Sequence, residues 1–244
     1  MRFIKFVFPA GLVLLYLYLS YAGFYNNMKE KNLQSVFKGN LMIFDNPDAG
    51  GSVKYVALGD SLSAGVGSES MEETIVYLFA SELSKTYGKV NAVNLALPGG
   101  TTEDVINDQL PFTISEKPDY VTLLIGVNDI HNKRTEKDFR ENYSLILNEL
   151  VSKTEAKIVV INLPYLGADK AILPPYSWIL NSRTQKFNKV ISELVTGNES
   201  RIRLVDLYGK TYKISKQVPG YYSSDLFHPS GKAYLLWSQF INEN

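Results

Sequence analysis

The 244-residue sequence contains no cysteine and only two histidines, His131 and His228. The lack of cysteine excludes disulfide bonds, thiolate metal sites and a cysteine nucleophile. With two histidines, a zinc site built on several imidazoles is excluded as well, and no His-Glu-x-x-His motif occurs. The sequence therefore predicts no metal site.

An excess of charge is also missing, since 25 basic residues balance 25 acidic ones and no long basic run occurs. A protein that binds nucleic acid usually presents a basic face to the phosphates, so nucleic acid is not expected as a partner. Apolar residues make up 45% of the chain, which is enough for a sizeable core. The length predicts one domain of about 200 residues with an appendage.

The amino terminus carries the longest uncharged stretch of the chain. Arg2 and Lys5 precede an uncharged run over residues 6–25, which is long enough as a helix to span the roughly 30 Å core of a bilayer. The charges predict a cytoplasmic amino terminus and an extracytoplasmic domain. Residues 1–25 are either a membrane anchor, which the length favours, or a signal peptide cleaved after about Ala22, which would release a secreted protein.

The rest of the chain divides into a polar tether and a folded domain. Residues 26–52 are mixed in charge and predict a tether with a short ordered piece at 41–44, followed by a domain over residues 53–244. In the domain, short β-branched runs alternate with longer helical patterns, which predicts a parallel sheet covered by helices on both faces. Predicted strands lie at 55–58, 92–95, 120–125, 157–162 and 203–206, and predicted helices around 72–87, 102–115, 136–153, 178–196 and 230–241.

Small polar clusters follow the first three predicted strands, and a fourth lies near the carboxyl end. They occupy residues 59–61, 98–102, 126–129 and 225–229. Taken singly, each cluster is also typical of an ordinary turn, loop or helix cap. Because the carboxyl ends of parallel strands share one edge of the sheet, we expect the clusters to converge there.

These clusters contain the groups that an acyl-transfer site needs. The Ser61 hydroxyl is a weak nucleophile unless a base takes its proton, and His228 is the natural base. Asp225, three residues earlier, can accept the other imidazole proton through a short turn. We interpret His131 as structural or solvent-exposed. Ser61, Asp225 and His228 are therefore candidate catalytic residues.

Three groups could stabilise the oxyanion that forms on the attacked carbonyl. They are the backbone N–H of Ser61, the backbone N–H of Gly99 and the side-chain amide of Asn128. Gly99 suits this role because the absent side chain lets a substrate approach the backbone.

In this order, the four clusters resemble the motifs of the SGNH, or GDSL-type, hydrolase family of esterases and lipases. The matching blocks are Gly-Asp-Ser-Leu at 59–62, Gly at 99, Gly-x-Asn-Asp at 126–129 and Asp-x-x-His at 225–228. One departure is Pro98, where many members have serine. The resemblance spans nearly all of the chain beyond the tether.

The resemblance implies Ser61 as nucleophile, Asp225 and His228 as the rest of the triad, and Ser61, Gly99 and Asn128 as the oxyanion hole. It also implies a three-layer α/β/α sandwich, flavodoxin-like, with about five parallel strands. Members of the family hydrolyse carboxylic esters and thioesters through an acyl-enzyme, without metal or organic cofactor. The expected partner is an ester of a small molecule, lipid or glycan, and no obligate protein partner is inferred.

The substrate is less defined than the reaction. The loops over 163–180 and 218–222 are apolar or aromatic and could line an acyl pocket, stack on a sugar or pack near a membrane. We favour a lipid-like or small acyl ester. The alternatives are an envelope polysaccharide O-acetylesterase, a non-catalytic glycan-binding module and a nucleotide-binding flavodoxin-like protein. The last is disfavoured because Gly65-Val66-Gly67 lacks the final glycine of a dinucleotide motif.

Overall fold

A computed structural model describes residues 4–31, 33–37, 39–168, 170–198 and 200–243, without the side chains of residues 4–10, 24, 27, 28 and 30. The strands are β1 (Leu41–Asp45), β2 (Ser52–Gly59), β3 (Lys89–Asn94), β4 (Tyr120–Leu124), β5 (Lys157–Ile161) and β6 (Ile202–Val205). The helices are α1 (Ile4–Lys31), α2 (Ile75–Tyr87), α3 (Thr102–Asp104), α4 (Leu110–Glu116), α5 (Val127–His131), α6 (Glu136–Lys153), α7 (Tyr176–Val195), α8 (Leu207–Gln217) and α9 (Gly231–Asn242).

The strands form one sheet in the order β1-β3-β2-β4-β5-β6. Strands β2 to β6 pair in parallel, and β1 adds an antiparallel strand at the edge. The central strand β2 is buried without a break from Tyr55 to Leu58, as expected for a parallel strand covered on both faces. The predicted α/β fold with five parallel strands is confirmed.

Two layers of helices cover the sheet. Helix α9 packs against α2 and α8, while α6 packs against α3, α4 and α7. The predicted helices appear as α2, α3 with α4, α6, α7 and α9, and a π-helical turn (Val105–Gln109) joins α3 to α4. Helix α6 starts with a capping box in which the Asp138 N–H donates to Thr135 Oγ1 at 3.1 Å and the Thr135 N–H donates to Asp138 Oδ2 at 3.3 Å.

Helices α5 and α8 were not predicted. Helix α8 contains Gly209, Thr211 and Ser215, which are weak helix formers, so its sequence favours a helix only slightly. Its start is fixed instead by Asp206, whose side chain accepts the Gly209 N–H at 3.0 Å. The strand predicted at 203–206 therefore ends one residue too late, because Asp206 caps α8.

Part of the predicted tether belongs to the sheet. Strand β1 pairs with β3 from Leu41 opposite Val93 to Asp45 opposite Lys89. Ahead of this strand, the Ser35 hydroxyl donates to the Ala64 carbonyl at 2.5 Å. The segment therefore contacts the domain directly, close to the loop that follows β2.

Helix α1 contains the uncharged run of the amino terminus. Across the part of the chain that the structure describes, no helix is both long and apolar enough to cross a membrane. In the structure, the middle of α1 contacts the segment before α7 through Tyr16, whose hydroxyl donates to the Pro174 carbonyl at 2.9 Å.

Candidate active site

Ser61 lies at the carboxyl edge of the sheet, directly after β2. The strand ends at Gly59, where a Cβ atom would clash with the Leu124 carbonyl oxygen, so only glycine fits between the two strands. The chain then turns, with the Ala64 N–H donating to the Asp60 carbonyl at 2.9 Å and the Val66 N–H to the Ser61 carbonyl at 3.0 Å. These turns hold Ser61 at the start of a compact loop.

The loop that carries Asp225 and His228 meets the Ser61 loop at Gly67. This glycine has φ 96°, and a Cβ atom there would clash with the Pro229 carbonyl and lie 3.0 Å from the Cβ of His228. Between the two candidate residues, Leu226 adopts a left-handed conformation with φ 58°, which costs a leucine about 1 kcal/mol. Such strain is typical of functional turns.

The three predicted catalytic side chains lie in hydrogen-bond contact. His228 Nε2 is 3.0 Å from Ser61 Oγ, and His228 Nδ1 is 2.6 Å from Asp225 Oδ2. Because a carboxylate accepts the Nδ1 proton, the neutral imidazole presents its Nε2 lone pair to the serine hydroxyl. This arrangement can remove the hydroxyl proton as the oxygen attacks a carbonyl.

Asp225 is held in its charged form by several donors. Its Oδ1 accepts the Ser223 hydroxyl at 2.8 Å and the N–H groups of Phe227 and His228 at 2.9 Å each. Burial alone would raise the pKa of Asp225, but the hydrogen bond and charge of His228, with the other donors, lower it to about 2. Asp225 therefore stays ionised throughout the physiological pH range.

Two of the three predicted oxyanion donors, Gly99 and Asn128, lie in the loop after β3 and in α5, which follows β4. The Asn128 amide donates to the Gly100 carbonyl at 2.9 Å, which joins this loop to α5, and an amide carries a second N–H that can serve a substrate. Gly99 is exposed with φ 83°, and no atom lies within 4 Å of where its Cβ would be. A substrate can therefore approach the backbone here, even though Pro98 precedes this glycine.

The sequence did not identify Gln109, which holds the end of β2 just before Ser61. The Gly59 N–H donates to Gln109 Oε1 and Gln109 Nε2 donates to the Gly59 carbonyl, both at 2.9 Å. Nor did it identify Asn94, whose amide donates to the Ser63 carbonyl at 3.0 Å. Neither residue belongs to a recognisable motif, so one sequence gives no signal for them.

Two buried carboxylates lie behind the site. Asp129 accepts the N–H and the hydroxyl of Thr102 at 3.0 and 2.5 Å, which connects α5 to α3. Asp60 precedes Ser61, and its Oδ1 accepts the Leu62 N–H at 3.0 Å. Burial raises the pKa of Asp60 to about 7, with a further increase from the negative charge of Asp129 and a decrease from the Leu62 N–H.

His131 lies next to the site rather than in the triad. It is solvent-exposed, yet its ring centroid is 5.4 Å from that of Phe227, and the Phe227 ring is 5.2 Å from that of His228. Within the described residues, no group of three or more histidine, aspartate or glutamate side chains could hold a metal ion. The reactive groups in contact at the site are a serine hydroxyl, an imidazole and a carboxylate.

Fold and site together define a three-layer α/β/α hydrolase with a serine at the carboxyl edge of its sheet. Residues 57–236 match the model of the GDSL-like lipase/acylhydrolase family. The chain belongs to this family, and it is a serine hydrolase that acts on ester bonds. A comparison with curated proteins gives no match.

Solved structures with the same fold include other enzymes of this kind. The lipase/acylhydrolase from Enterococcus faecalis is 27% identical, with a TM-score of 0.63, covering 78% of this chain and 93% of that one. Axe2, an acetylxylan esterase from Geobacillus stearothermophilus, is 18% identical, with a TM-score of 0.61 and coverages of 80% and 96%. TesA is 20% identical, with a TM-score of 0.60 and coverages of 77% and 95%. The last two identities support the shared fold alone.

Proposed function

We propose that this protein is an extracytoplasmic serine esterase that hydrolyses acyl esters through Ser61, His228 and Asp225. The observation that carries the proposal is the pair of contacts on one imidazole, 3.0 Å to the Ser61 hydroxyl and 2.6 Å to the Asp225 carboxylate. Nucleophile, base and orienting acid at these distances are what acyl transfer requires.

In the first half of the reaction, Ser61 Oγ attacks the acyl carbon and His228 Nε2 takes the hydroxyl proton. The carbonyl oxygen becomes an anion that the N–H groups of Ser61 and Gly99 and the amide of Asn128 stabilise. The intermediate collapses as the bond from the acyl carbon to the alcohol oxygen breaks. His228 returns the proton to that oxygen, the alcohol leaves, and the acyl group stays on Ser61.

In the second half, water attacks the acyl-enzyme. His228 Nε2 accepts one proton from this water, and the oxygen bonds to the acyl carbon. When the bond to Ser61 Oγ breaks, His228 gives its proton to that oxygen. The carboxylic acid leaves and the free serine is restored, so no cofactor or metal is consumed.

A fluorophosphonate probe tests this mechanism directly. The full chain is labelled, digested and analysed by mass spectrometry beside Ser61→Ala and His228→Ala variants. We expect one adduct on Ser61 in the wild type, none in Ser61→Ala and much slower labelling in His228→Ala, because the serine then lacks its base. A folded wild type without an adduct would favour a non-catalytic binding module instead.

A mainly apolar pocket, which adjoins the site through His131 and Phe227, supports a substrate with a long acyl chain rather than an acetyl group. It has a volume of about 340 Å³, within the usual range of ligand sites. The domain contributes mainly apolar side chains to its lining: Ile130, Ile172, Leu173, Tyr176, Ile179 and Leu180. A long acyl chain gains about 0.8 kcal/mol for each methylene that such a pocket buries.

The extracytoplasmic location is supported by the order of charge and apolar residues at the amino terminus. Arg2 and Lys5 stand before the uncharged run over 6–25, an order of charged and apolar residues that is typical of exported proteins. Externally added protease provides the test in intact cells. Degradation of the domain without lysis is expected, and full protection until lysis would contradict the location.

A second candidate function, removal of acetyl groups from envelope polysaccharide, is favoured by a different groove. It is lined by aromatic side chains, among them Trp178, Tyr208 and Tyr212, together with Gln185, and Trp178 is 69% exposed. Aromatic faces with amide groups suit a sugar ring. Competition between an acetylated oligosaccharide and a long-chain ester decides between the candidates, since the true substrate class has the higher kcat/KM.

A further inference from the structure

The apolar pocket beside the site is not made by the family domain alone. The family model covers residues 57–236, yet Ser20 and Tyr21 of α1 also line this pocket. Ser20 is only 8% exposed, whereas Leu19 next to it is 57% exposed. The side of α1 that carries Ser20 is therefore covered by the domain.

Specific contacts hold this part of α1 against the domain. The Tyr16 hydroxyl donates to the Pro174 carbonyl at 2.9 Å, and the Tyr176 hydroxyl donates to the Leu17 carbonyl at 3.5 Å. The Tyr21 ring lies 6.0 Å from the ring of Tyr176. These contacts fix about two turns of helix along the start of α7.

The pocket reaches the candidate catalytic histidine through adjoining side chains. His131 lines the pocket and packs on Phe227, whose ring in turn packs on His228. Ile172 also lines the pocket and lies against Gly167. A Cβ atom at Gly167 would lie 3.6 Å from the Phe227 ring, so this glycine is close to Phe227 as well. The pocket thus adjoins the imidazole that faces Ser61 through two packed rings, those of His131 and Phe227.

We propose that α1 is a wall of the substrate site, and that Ser20 and Tyr21 set the length of the aliphatic acyl chain that it accepts. The inference rests on the proposed esterase function. The occupant is an aliphatic chain because the walls are mainly apolar and adjoin the acyl-transfer site through His131 and Phe227, whereas a sugar would need more polar partners. The helix outside the family domain is then a specificity element of the enzyme.

The test compares two tyrosines of the same helix. Tyr21→Ala removes a wall of the pocket, while Tyr18→Ala changes a side chain that is 68% exposed. The full chain is purified in detergent, and kcat/KM is measured on p-nitrophenyl esters from acetyl to dodecanoyl. In the wild type, kcat/KM should rise about fourfold per methylene until the pocket is full.

For Tyr21→Ala, we expect the ratio of decanoyl to acetyl kcat/KM to fall at least about tenfold, equivalent to two methylenes that lose their contact. Tyr18→Ala should keep the wild-type ratio. A second variant, Ser20→Trp, fills the pocket from the helix side. It should shift the optimum to shorter chains, with the fold checked by circular dichroism.

Three results would overturn the proposal. The first is an unchanged chain-length profile in both Tyr21→Ala and Ser20→Trp while ester turnover persists. The second is an equal change in Tyr18→Ala, which would indicate a general effect of α1. The third is an intact mass showing that the mature protein starts after Ala22. Failure of the proposed function is distinct, since the wild type would then hydrolyse no ester and Ser61 would not be labelled.

Discussion

Asp60 and Asp225 are both buried carboxylates at the candidate active site, yet their pKa values move in opposite directions. The pKa of Asp60 is raised to about 7 and that of Asp225 is lowered to about 2. Burial disfavours the charge in both. The neighbours differ, because Asp225 faces the imidazole of His228 and several donors, whereas Asp60 faces the carboxylate of Asp129.

The opposite pKa shifts distinguish Asp225, a carboxylate with a role in the proposed reaction, from Asp60, a buried carboxylate with no assigned role in it. In the proposed mechanism the Asp225 charge is used, since it orients His228 and stabilises the imidazolium that forms during the reaction. The Asp60 side chain instead accepts the Leu62 N–H, and this hydrogen bond shapes the turn after Ser61. The two residues should therefore respond differently to the same change, aspartate to asparagine.

The largest effect is expected for Asp225→Asn. An asparagine amide in this position can donate to Nδ1, which would leave the proton on Nε2 and remove the base for Ser61. We expect kcat to fall by about 10⁴ with the fold preserved, as measured on a short ester and by circular dichroism. A fall of less than tenfold would show that His228 does not need this carboxylate.

The strand pattern and the four polar clusters were enough to predict the parallel sheet and to name Ser61, His228 and Asp225. Their mutual contact follows from the shared edge of a parallel sheet. Gln109 and Gly67 could not be found in this way, because each acts through a partner distant in the sequence. Strand β1 was missed as a strand of the sheet for the same reason, since its partner is β3.

The packing of α1 against the domain could not be predicted from the sequence, for a different physical reason. An uncharged helix can bury its apolar side chains in a bilayer or against a protein, and periodicity does not distinguish the two. The contacts of Tyr16 and Tyr21 with the segment at 174–176 indicate the second.

A smaller effect, on stability rather than turnover, is expected for Asp60→Asn. The folded pKa of about 7 lies above the ordinary 3.8, so between these values the native state binds more protons than the unfolded chain. Stability must then fall as pH rises from about 4 to 7, by up to about 4 kcal/mol. Asparagine does not ionise, so the variant should lack this loss.

Urea unfolding at several pH values measures this loss of stability between pH 4 and 7. Asp48→Asn, an exposed position, serves as the control and should follow the wild type. An Asp60→Asn variant that loses as much stability as the wild type between pH 4 and 7 would place the titrating group elsewhere, with Asp129 the first candidate because burial raises its pKa too.

The smallest effect is expected for Ser223→Ala, which removes one donor to Asp225 and leaves the backbone donors of Phe227 and His228 in place. A hydrogen bond to a charged group contributes about 2 kcal/mol, so stability at pH 7 should fall by about that amount. The folded pKa of Asp225 should rise, so the stability lost as pH falls below about 4 should become smaller. Because the imidazole contact remains, kcat should fall less than tenfold.

Ser224→Ala, at the exposed neighbouring position, is the matched control for both measurements. If Ser223→Ala abolished turnover as Asp225→Asn is expected to do, the hydroxyl rather than the carboxylate would be orienting His228. The opposite pKa shifts of the two aspartates would then no longer explain their different roles.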